Sequence, residues 1–521
     1  MSLTPKRVVV IGGGIAGLVG AIDCAKVGID VTVVESAQSF GGAVAAAEVA
    51  GLLVDVGAES FATRGGSVAE LIEQLGITDR VVRPNRAGAW LHIAKPGQAA
   101  RTVPLPKAGL LGIPTNPLAD DVRRVIGWTG SLRAYLDRIR PPLTIGAEHN
   151  LGTLVRKRMG SAVHDLLVAP VTSGVYSAMP EDLDVDRAAP GLNAALTRTG
   201  ALSLAVSALR ESAPAGAAVG GLDGGMTVLV DALVAELEHR ASTLITGVAV
   251  SAISREPFDI DIDTDAEGVG LGDAGLPRMS ERRADPDSRR ATGPQPAWYI
   301  ALTDGRVLEA DLVLVATPER QARNLLADVG PALRDLPAAG DDAGDPVLPA
   351  PIELATIVLD EPALDAAPRG SGLLVAPGST LHAKALTHAT AKWGWLAARA
   401  KEQGEHRHVI RLSFGRQGEA DATSGLSDEE LLAVALTDAS VMLGVELDPA
   451  SVRGFHRVSW TGTQPTAARG HRERSAIIRE AVAEVPDLAV TGAWLSGTGL
   501  ASVVPDAHEA AARLRHQALQ L

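Results

Sequence analysis

An α/β domain on a parallel sheet, joined to α+β and helical regions, is the architecture this sequence predicts. Three observations lead there. A valine-rich run, RVVVI (Arg7–Ile11), leads straight into a glycine-rich turn and an alanine-rich stretch. A second run, VTVV (Val31–Val34), closes on a lone acid, Glu35. Buried-strand patterns then return far along the chain, at DLVLVATP (Asp311–Pro318) and at Leu488–Thr491. A short apolar run of β-branched residues suits a strand covered on both faces. Strands so far apart in sequence imply a sheet assembled from discontinuous segments.

Bulk properties narrow the class. A chain of 521 residues is too long for one ordinary core, so two or three domains are expected. Hydrophobic residues at 46% and charged residues at 21% are normal for a soluble globular enzyme. The net charge of −14 argues against nonspecific nucleic-acid binding, which needs a basic face. A single cysteine, Cys24, rules out a disulfide framework and thiolate metal clusters, and suits the cytosol. The 12 histidines show no metal-ligand spacing, so no metal site is expected.

Lys6 and Arg7 precede fifteen uncharged residues, Val8–Ile22, in superficial imitation of a signal peptide. Five glycines within that run argue otherwise. No stretch is long enough to span a bilayer. The short apolar stretch Ala201–Leu209 reads as an amphipathic helix and leaves room for a loose membrane contact.

Taken in order, Val8–Ile11 is the first strand. Gly12, Gly14 and Gly17 then follow the G-x-G-x-x-G pattern, with Gly13, Ile15 and Ala16 completing the turn. The first glycine permits a tight turn, the second lets a pyrophosphate approach the backbone, and the third lets helix and strand pack closely. Leu18–Val27 has helical composition, and a helix N-terminus there points free N–H groups at a phosphate. Glu35 ends the second strand about 20 residues on, where an acid accepts hydrogen bonds from an adenosine ribose. No arginine follows it, which disfavours NADP. A Rossmann-like dinucleotide site is therefore expected.

The next segment is SAQSFGGAVAAAEVAGLLVDVGAES (Ser36–Ser60). Gly41–Gly42 permit a second close backbone approach, and a hairpin turning near Ala50–Gly51 ends at Asp55–Ser60. The whole resembles the extended FAD motif of glutathione-reductase-type and amine-oxidase-type flavoproteins. That resemblance implies FAD, with the second glycine pair along the cofactor and the D-x-G turn near its flavin. Ala43 stands where many relatives carry arginine.

Further along, Leu244–Ile253 reads as a strand, Trp298–Leu302 and Val307–Leu308 as a hairpin, and a helix is expected from about Pro505. The polar stretches 261–296 and 336–351 read as flexible inserts. Residues 1–89, 221–330 and 480–521 are assigned to the dinucleotide domain, and 90–220 and 331–479 to the substrate side.

Ordered motifs extend over nearly the whole chain. They are VPLPKAGLLGIPTNPL (Val103–Leu118), APVTSGVYSAMPEDL (Ala169–Leu183), GGLDGGMTVLVDALVAEL (Gly220–Leu237) and LVLVATPERQARNLL (Leu312–Leu326). GSGLLVAPGS (Gly370–Ser379), HATAKWGWL (His388–Leu396), VIRLSFGR (Val409–Arg416), GHRERSAIIRE (Gly470–Glu480) and TGAWLSGTGLASVV (Thr491–Val504) follow. Together they resemble the oxygen-dependent, FAD-containing porphyrinogen oxidases of haem biosynthesis. The bacterial branch of that family oxidises coproporphyrinogen III, and relatives oxidise protoporphyrinogen IX.

By this resemblance, FAD contacts fall on Gly12 through Gly17, Glu35, Ser36, Gly42, Ala43, Gly57, Ala58, Glu59, Ser60, Val250, Trp460, Thr498, Gly499 and Leu500. The FAD would be noncovalent, because the last glycine-rich turn carries Ser496 and Thr498 but no cysteine. The implied reaction removes six electrons from a porphyrinogen in three steps, with oxygen as acceptor and peroxide as product. Gly174 matches a family glycine whose carbonyl faces the substrate; a glycine needed only for its turn reads equally well. Arg64 is the first choice to hold a propionate, against a plain surface arginine. Some relatives have arginine where this chain has Ala89; Arg86 lies nearby. Tyr176, Trp393, Trp395 and Leu373 could supply apolar walls, although most such residues are core. His471 reads as a structural histidine and Cys24 as packing in the first helix. Competing readings are another amine-oxidase-like flavoenzyme and an FAD-stabilised binding partner without activity. Contact with a downstream chelatase and with the inner face of the membrane accompanies the cytoplasmic reading.

Overall fold

The computed structural model describes residues 5–63, 65–94, 99–107, 109–139, 148–176, 178–211, 219–258, 297–337, 351–416, 422–460 and 471–519. The 261–296 insert lies outside the described residues, as does most of 336–351.

Valine-rich runs with no polar face have to be covered on both sides. Arg7–Ile11 is the centre of a five-stranded parallel sheet in the order Thr243–Ile245, Asp30–Val34, Arg7–Ile11, Leu312–Val315, Leu488–Val490. Val8 and Val10 enter a core built with the first helix (Ile15–Ala25), the helix Thr227–His239 and the last helix (Leu500–Leu519). Val9 and Ile11 enter the opposite core, with Trp298, Ile300, Leu326 and Ile478. Side-chain alternation along one strand thus supplies two layers.

Two expectations are corrected here. Leu244–Ile253 is two strands, not one. The chain takes a left-handed turn at Gly247 (φ 73°), so Thr243–Ile245 joins the parallel sheet and Val250–Ser254 pairs antiparallel with Trp298–Leu302. The periodicity of a continuous apolar run cannot show that its halves belong to different sheets. The last helix starts at Leu500, with Pro505 inside it. Pro505 is the sixth residue of that helix, where it removes the N–H that would have bonded the Ala501 carbonyl, and the Ser67 hydroxyl lies 3.5 Å from that oxygen.

A seven-stranded sheet forms the second layer system, in the order Val452–Trp460, Ile352–Asp360, Arg407–Phe414, Ala385–His388, Gly372–Val375, Trp90–Ile93, Arg101–Pro104. One face packs on Asp428–Leu443, a helix started by a Ser427/Glu430 capping box. The other face meets the Ala46–Asp55 hairpin and a helical region centred on Leu154, Leu167 and Leu192. The stretch expected to be an amphipathic helix forms Leu202–Glu211, with Leu202, Ala205 and Val206 buried in that helical core. No helix among the described residues is long and apolar enough to cross a membrane.

Candidate active site

The glycine turn separates packing from ligand space. A Cβ at Gly17 would lie 1.9 Å from the Gly12 carbonyl oxygen, and one at Gly12 would lie 2.7 Å from that of Ala316. Those two glycines are required by the protein's own contacts. Gly14 is different. Its φ of −72° is ordinary, and the nearest protein atom to a Cβ there is 3.9 Å away. The first helix begins immediately after it, with no side-chain cap and no acidic residue in its first turn. An uncapped N-terminus beneath unfilled space is what a pyrophosphate requires.

Glu35 is oriented from three sides. Gly13 N donates to its Oε2 at 2.7 Å, Ala37 N to Oε1 at 2.8 Å, and the Ser36 hydroxyl to Oε1 at 3.1 Å. Ser36 therefore holds the carboxylate. The backbone approaching Val250 crosses at the same place, since Gly247 N bonds Ala37 O (2.8 Å) and Val248 N bonds Glu35 O (3.2 Å). The second glycine pair closes the turn from above, with Gly41 N donating to Gly13 O at 2.9 Å. Gly57 folds back over Ala43, where a Cβ would meet the Ala43 carbonyl at 2.1 Å, and Ala58 N bonds that carbonyl at 2.9 Å.

The Asp55–Ser60 turn is clamped by side chains of the large sheet. Arg411 Nη1 donates to the carbonyls of Asp55 (3.1 Å) and Gly57 (2.9 Å). Trp460 Nε1 donates to that of Val56 at 3.0 Å. Three consecutive carbonyls are thus held from outside the turn, and the Trp460 N–H is occupied, which leaves its ring for contact. Glu59 sits between Arg411, whose Nη2 is 3.0 Å away, and Lys392, which also pairs with it. Burial alone would raise its pKa, but the two cations hold it down to about 2. Asp55 goes the other way: burial pushes it up to about 6, against the Met226 N–H that it accepts at 2.9 Å. Neither Arg411 nor Lys392 stands in a motif that announces this role, and only the sheet register brings them to the turn.

The third approach comes from the C-terminus. Asp506 accepts from the Thr491 hydroxyl (2.7 Å) and from Gly492 N (3.1 Å), and it pairs with Arg479. These bonds pin the start of the last helix to the end of the Leu488–Val490 strand. Thr498 and Leu500 flank Gly499, which is left-handed (φ 99°) and has no protein atom within 4 Å of a Cβ position. His471 Nε2 lies 3.3 Å from the Leu495 carbonyl and 3.1 Å from the Ser475 hydroxyl; it is buried, and burial pushes it down to about 4. It is a structural histidine. Cys24 is buried in the first helix, with its thiol pushed up to about 12.

Opposite the turn, Gly174 faces the large sheet. A Cβ on it would lie 2.5 Å from Leu374 Cδ2. This corrects the choice of Leu373, which is 2% exposed and packs on the far face with Ile410 and Leu412. Side chains alternate along a strand, so the next residue, Leu374, is the one that meets Gly174. Register places Ala385, Ser413 and Leu354 beside Leu374 in one row on that face. Trp393 is buried against Gly221, and Trp395 packs with it under the Ala46–Asp55 hairpin, so both are core. Arg86 is exposed. Arg64 lies outside the described residues, as does the side chain of Tyr176. Among the described residues, no group of His, Cys, Asp and Glu is arranged to hold a metal ion.

A dinucleotide turn, a carboxylate oriented at the end of the second strand, a clamped second turn and an open third glycine together define a flavoprotein of the oxidoreductase class. Residues 15–275 match the family model of flavin containing amine oxidoreductases, and the chain belongs to that family. FAD is its cofactor, and the unfilled space at Gly14 and Gly499 fits it. The chain is 29% identical to the coproporphyrinogen III oxidase of Mycobacterium tuberculosis (strain ATCC 25618 / H37Rv) over 513 residues, covering 96% of each. It is 23% identical to that of Bacillus subtilis (strain 168), again covering 96% of each. Protoporphyrinogen oxidase 2 of Arabidopsis thaliana is 25% identical over 37% of this chain and 36% of its own. In fold, the chain is similar to a provisionally assigned protoporphyrinogen oxidase from Exiguobacterium sp. 255-15 (TM-score 0.76, 24% identity, all of both chains). Putrescine oxidase is a more distant neighbour (TM-score 0.60, 12% identity, 98% of this chain and 99% of that one).

Proposed function

We propose that this protein oxidises coproporphyrinogen III to coproporphyrin III in haem biosynthesis, with noncovalent FAD and with oxygen as acceptor. The observation that carries the reading is the near full-length match to coproporphyrinogen III oxidases, at 29% identity over 96% of both chains. The geometry agrees with it. Leu354, Ser413, Ala385 and Leu374 form one row of small and apolar side chains on the sheet face that Gly174 packs against through Leu374.

Bound FAD would supply the hydride acceptor, with three molecules of oxygen as final acceptor and three of peroxide as product. The chain's residues bind and orient. Gly12 through Gly17 and the first helix carry the pyrophosphate, Glu35 the ribose, and Val250 the adenine through its backbone. Gly42, Ala43, Gly57, Ala58, Glu59, Ser60, Trp460 and the Thr498–Leu500 turn surround the flavin end. The Gly174 carbonyl receives ring N–H groups of the substrate, and Arg64 holds a propionate. The cofactor domain is drawn from residues 1–89, 221–330 and 480–521. The protein works in the cytoplasm and passes its product to a metal chelatase.

Purified protein incubated in air with chemically reduced coproporphyrinogen is expected to raise porphyrin fluorescence above the autoxidation rate. Protoporphyrinogen IX, run beside it, is the alternative substrate suggested by the Arabidopsis relative. No enzyme-dependent increase with either would overturn the reading.

A further inference from the structure

Two cavities adjoin on a short stretch of chain, Leu105, Pro106 and Lys107, which lines both. The smaller, of about 260 Å³, lies between Leu111 on one side and Leu167 and Val171 on the other. The larger, of about 500 Å³, opens beside Ala89 and Trp90 at the start of a strand of the large sheet. Val171 connects the smaller cavity to the Gly174 face. It stands three positions before Gly174 in the helix Ala169–Tyr176, and residues at i and i+3 share a helix face. Val171 and Gly174 are both half-buried, whereas Thr172 and Ser173 between them are buried. One open face of this helix therefore carries both the residue that Leu374 packs on and a wall of the cavity.

The shared wall is held from two sides. Arg210 Nη1 donates to the carbonyls of Lys107 and Gly109, each at 3.0 Å. Asp121 accepts from Lys107 N at 3.2 Å and from Val122 N at 2.9 Å. A Cβ at Gly112 would lie 2.1 Å from the Leu167 carbonyl oxygen, so this segment closes directly on the helical region. Lys107 is the one ionisable residue among those lining either cavity. Its backbone is bonded, but among the described residues no carboxylate pairs with its ammonium. In a chain of net charge −14, an anionic substrate has to be drawn in by local cations. A cation on an apolar wall, without a counter-ion of its own, is placed for a carboxylate that a ligand brings. The smaller cavity is below the roughly 300–1,000 Å³ that encloses a whole ligand, so it suits a side arm rather than a macrocycle.

We propose that Lys107 pairs with a propionate carboxylate of the porphyrinogen, with that arm along the Val171 wall and the ring against the Leu374 face. The inference rests on the porphyrinogen reading above and names the residue that senses the substrate's charge on this side. The arm is a different one from that assigned to Arg64. The alternative is a solvated surface lysine with no part in binding.

Two measurements on the FAD-loaded full chain test it: steady-state oxidation of coproporphyrinogen III, and equilibrium binding of coproporphyrin III followed by its fluorescence polarisation. Lys107 is exposed, so Lys107→Gln, Lys107→Glu and Lys107→Arg are expected to keep the parent's thermal midpoint and flavin content. Lys107→Gln is expected to raise KM about fivefold and Lys107→Glu at least about tenfold, with kcat little changed. Lys107→Arg, which keeps the charge, is expected to stay within about twofold of the parent. Binding of coproporphyrin III is expected to weaken by the same factors, while binding of its tetramethyl ester, dispersed in detergent, does not change. A parent-like KM in Lys107→Glu overturns the proposal and leaves the reaction standing. Equal losses for the ester and the free acid also overturn it, because the lysine then supplies packing and not charge. If no porphyrinogen is turned over, yet Lys107→Glu weakens binding of the acid and not of the ester, the reaction fails and the carboxylate site stands. If coproporphyrin III does not bind the parent protein, the site falls.

Discussion

Arg411 and Glu59 meet across two layers of the molecule: Arg411 Nη2, on a central strand of the large sheet, lies 3.0 Å from Glu59 Oε2 in the Asp55–Ser60 turn. The same guanidinium holds the carbonyls of Asp55 and Gly57. One side chain thus sets both the charge and the shape of that turn.

Removing it should cost stability and cofactor together. In Arg411→Met, Glu59 keeps Lys392 as its one cation and two carbonyls lose their donor. Breaking a largely buried pair from one side costs about 3 kcal/mol. The expected outcome is a lower thermal midpoint and flavin fluorescence that rises on dilution as FAD leaves. Arg411→Lys, which keeps charge but loses the fork, should fall between the two. A variant with unchanged midpoint and flavin content would show that the clamp contributes nothing.

The two acids of this turn impose opposite pH dependences. Glu59, held at about 2, contributes stability that is present above the ordinary glutamate range and lost as pH falls through it toward 2. Asp55, raised to about 6, is better protonated in the folded state, so it costs stability as pH rises from the ordinary aspartate range through about 6. Asp55→Asn keeps an acceptor for Met226 N. It is therefore expected to be more stable than the parent at pH 7.5, by on the order of 1–2 kcal/mol. The gain should vanish near pH 4. Denaturant titrations of both proteins across that range measure it, and a pH-independent difference would count against the assignment.

The glycines of the first turn should separate by role. Gly14→Val puts its Cβ at ordinary contact distance, 3.9 Å from Gly42 Cα, and at an ordinary backbone angle, so the apoprotein should fold and fail to retain FAD. Gly17→Val drives a side chain into the Gly12 carbonyl, 1.9 Å from the Cβ position, and should not fold at all. Circular dichroism and flavin absorbance distinguish the two. Retention of flavin by Gly14→Val would mean that the pyrophosphate does not pass there.

Strand parity gives a test of the proposed substrate face. Leu374→Phe is expected to raise KM for the porphyrinogen several-fold with FAD content unchanged. Leu373→Ala opens a cavity in the far core and should cost about 3 kcal/mol of stability with little change in KM. Exchange of these two phenotypes would place the substrate on the other face of the sheet.

Much of the candidate cofactor turn was legible in sequence because its determinants are local. The Gly12–Gly17 turn, the strand before it and Glu35 lie within one βαβ unit, where spacing alone fixes geometry. The discontinuous sheet was legible too, because a strand buried on both faces is apolar throughout wherever it occurs. The ends of elements were less so: Pro505 lies inside a helix whose freed carbonyl Ser67 approaches from another segment.

The sequence by itself determined that this chain carries a dinucleotide cradle and a parallel sheet around it, since both follow from contacts between residues close in the chain. Only the tertiary structure decided that Leu374 and not Leu373 meets Gly174, that Arg411 and Trp460 hold the Asp55–Ser60 turn, and that Trp128–Ile139 turns its apolar side outward. Each of these depends on which face of one element is covered by another from a distant segment, and no local pattern records that choice.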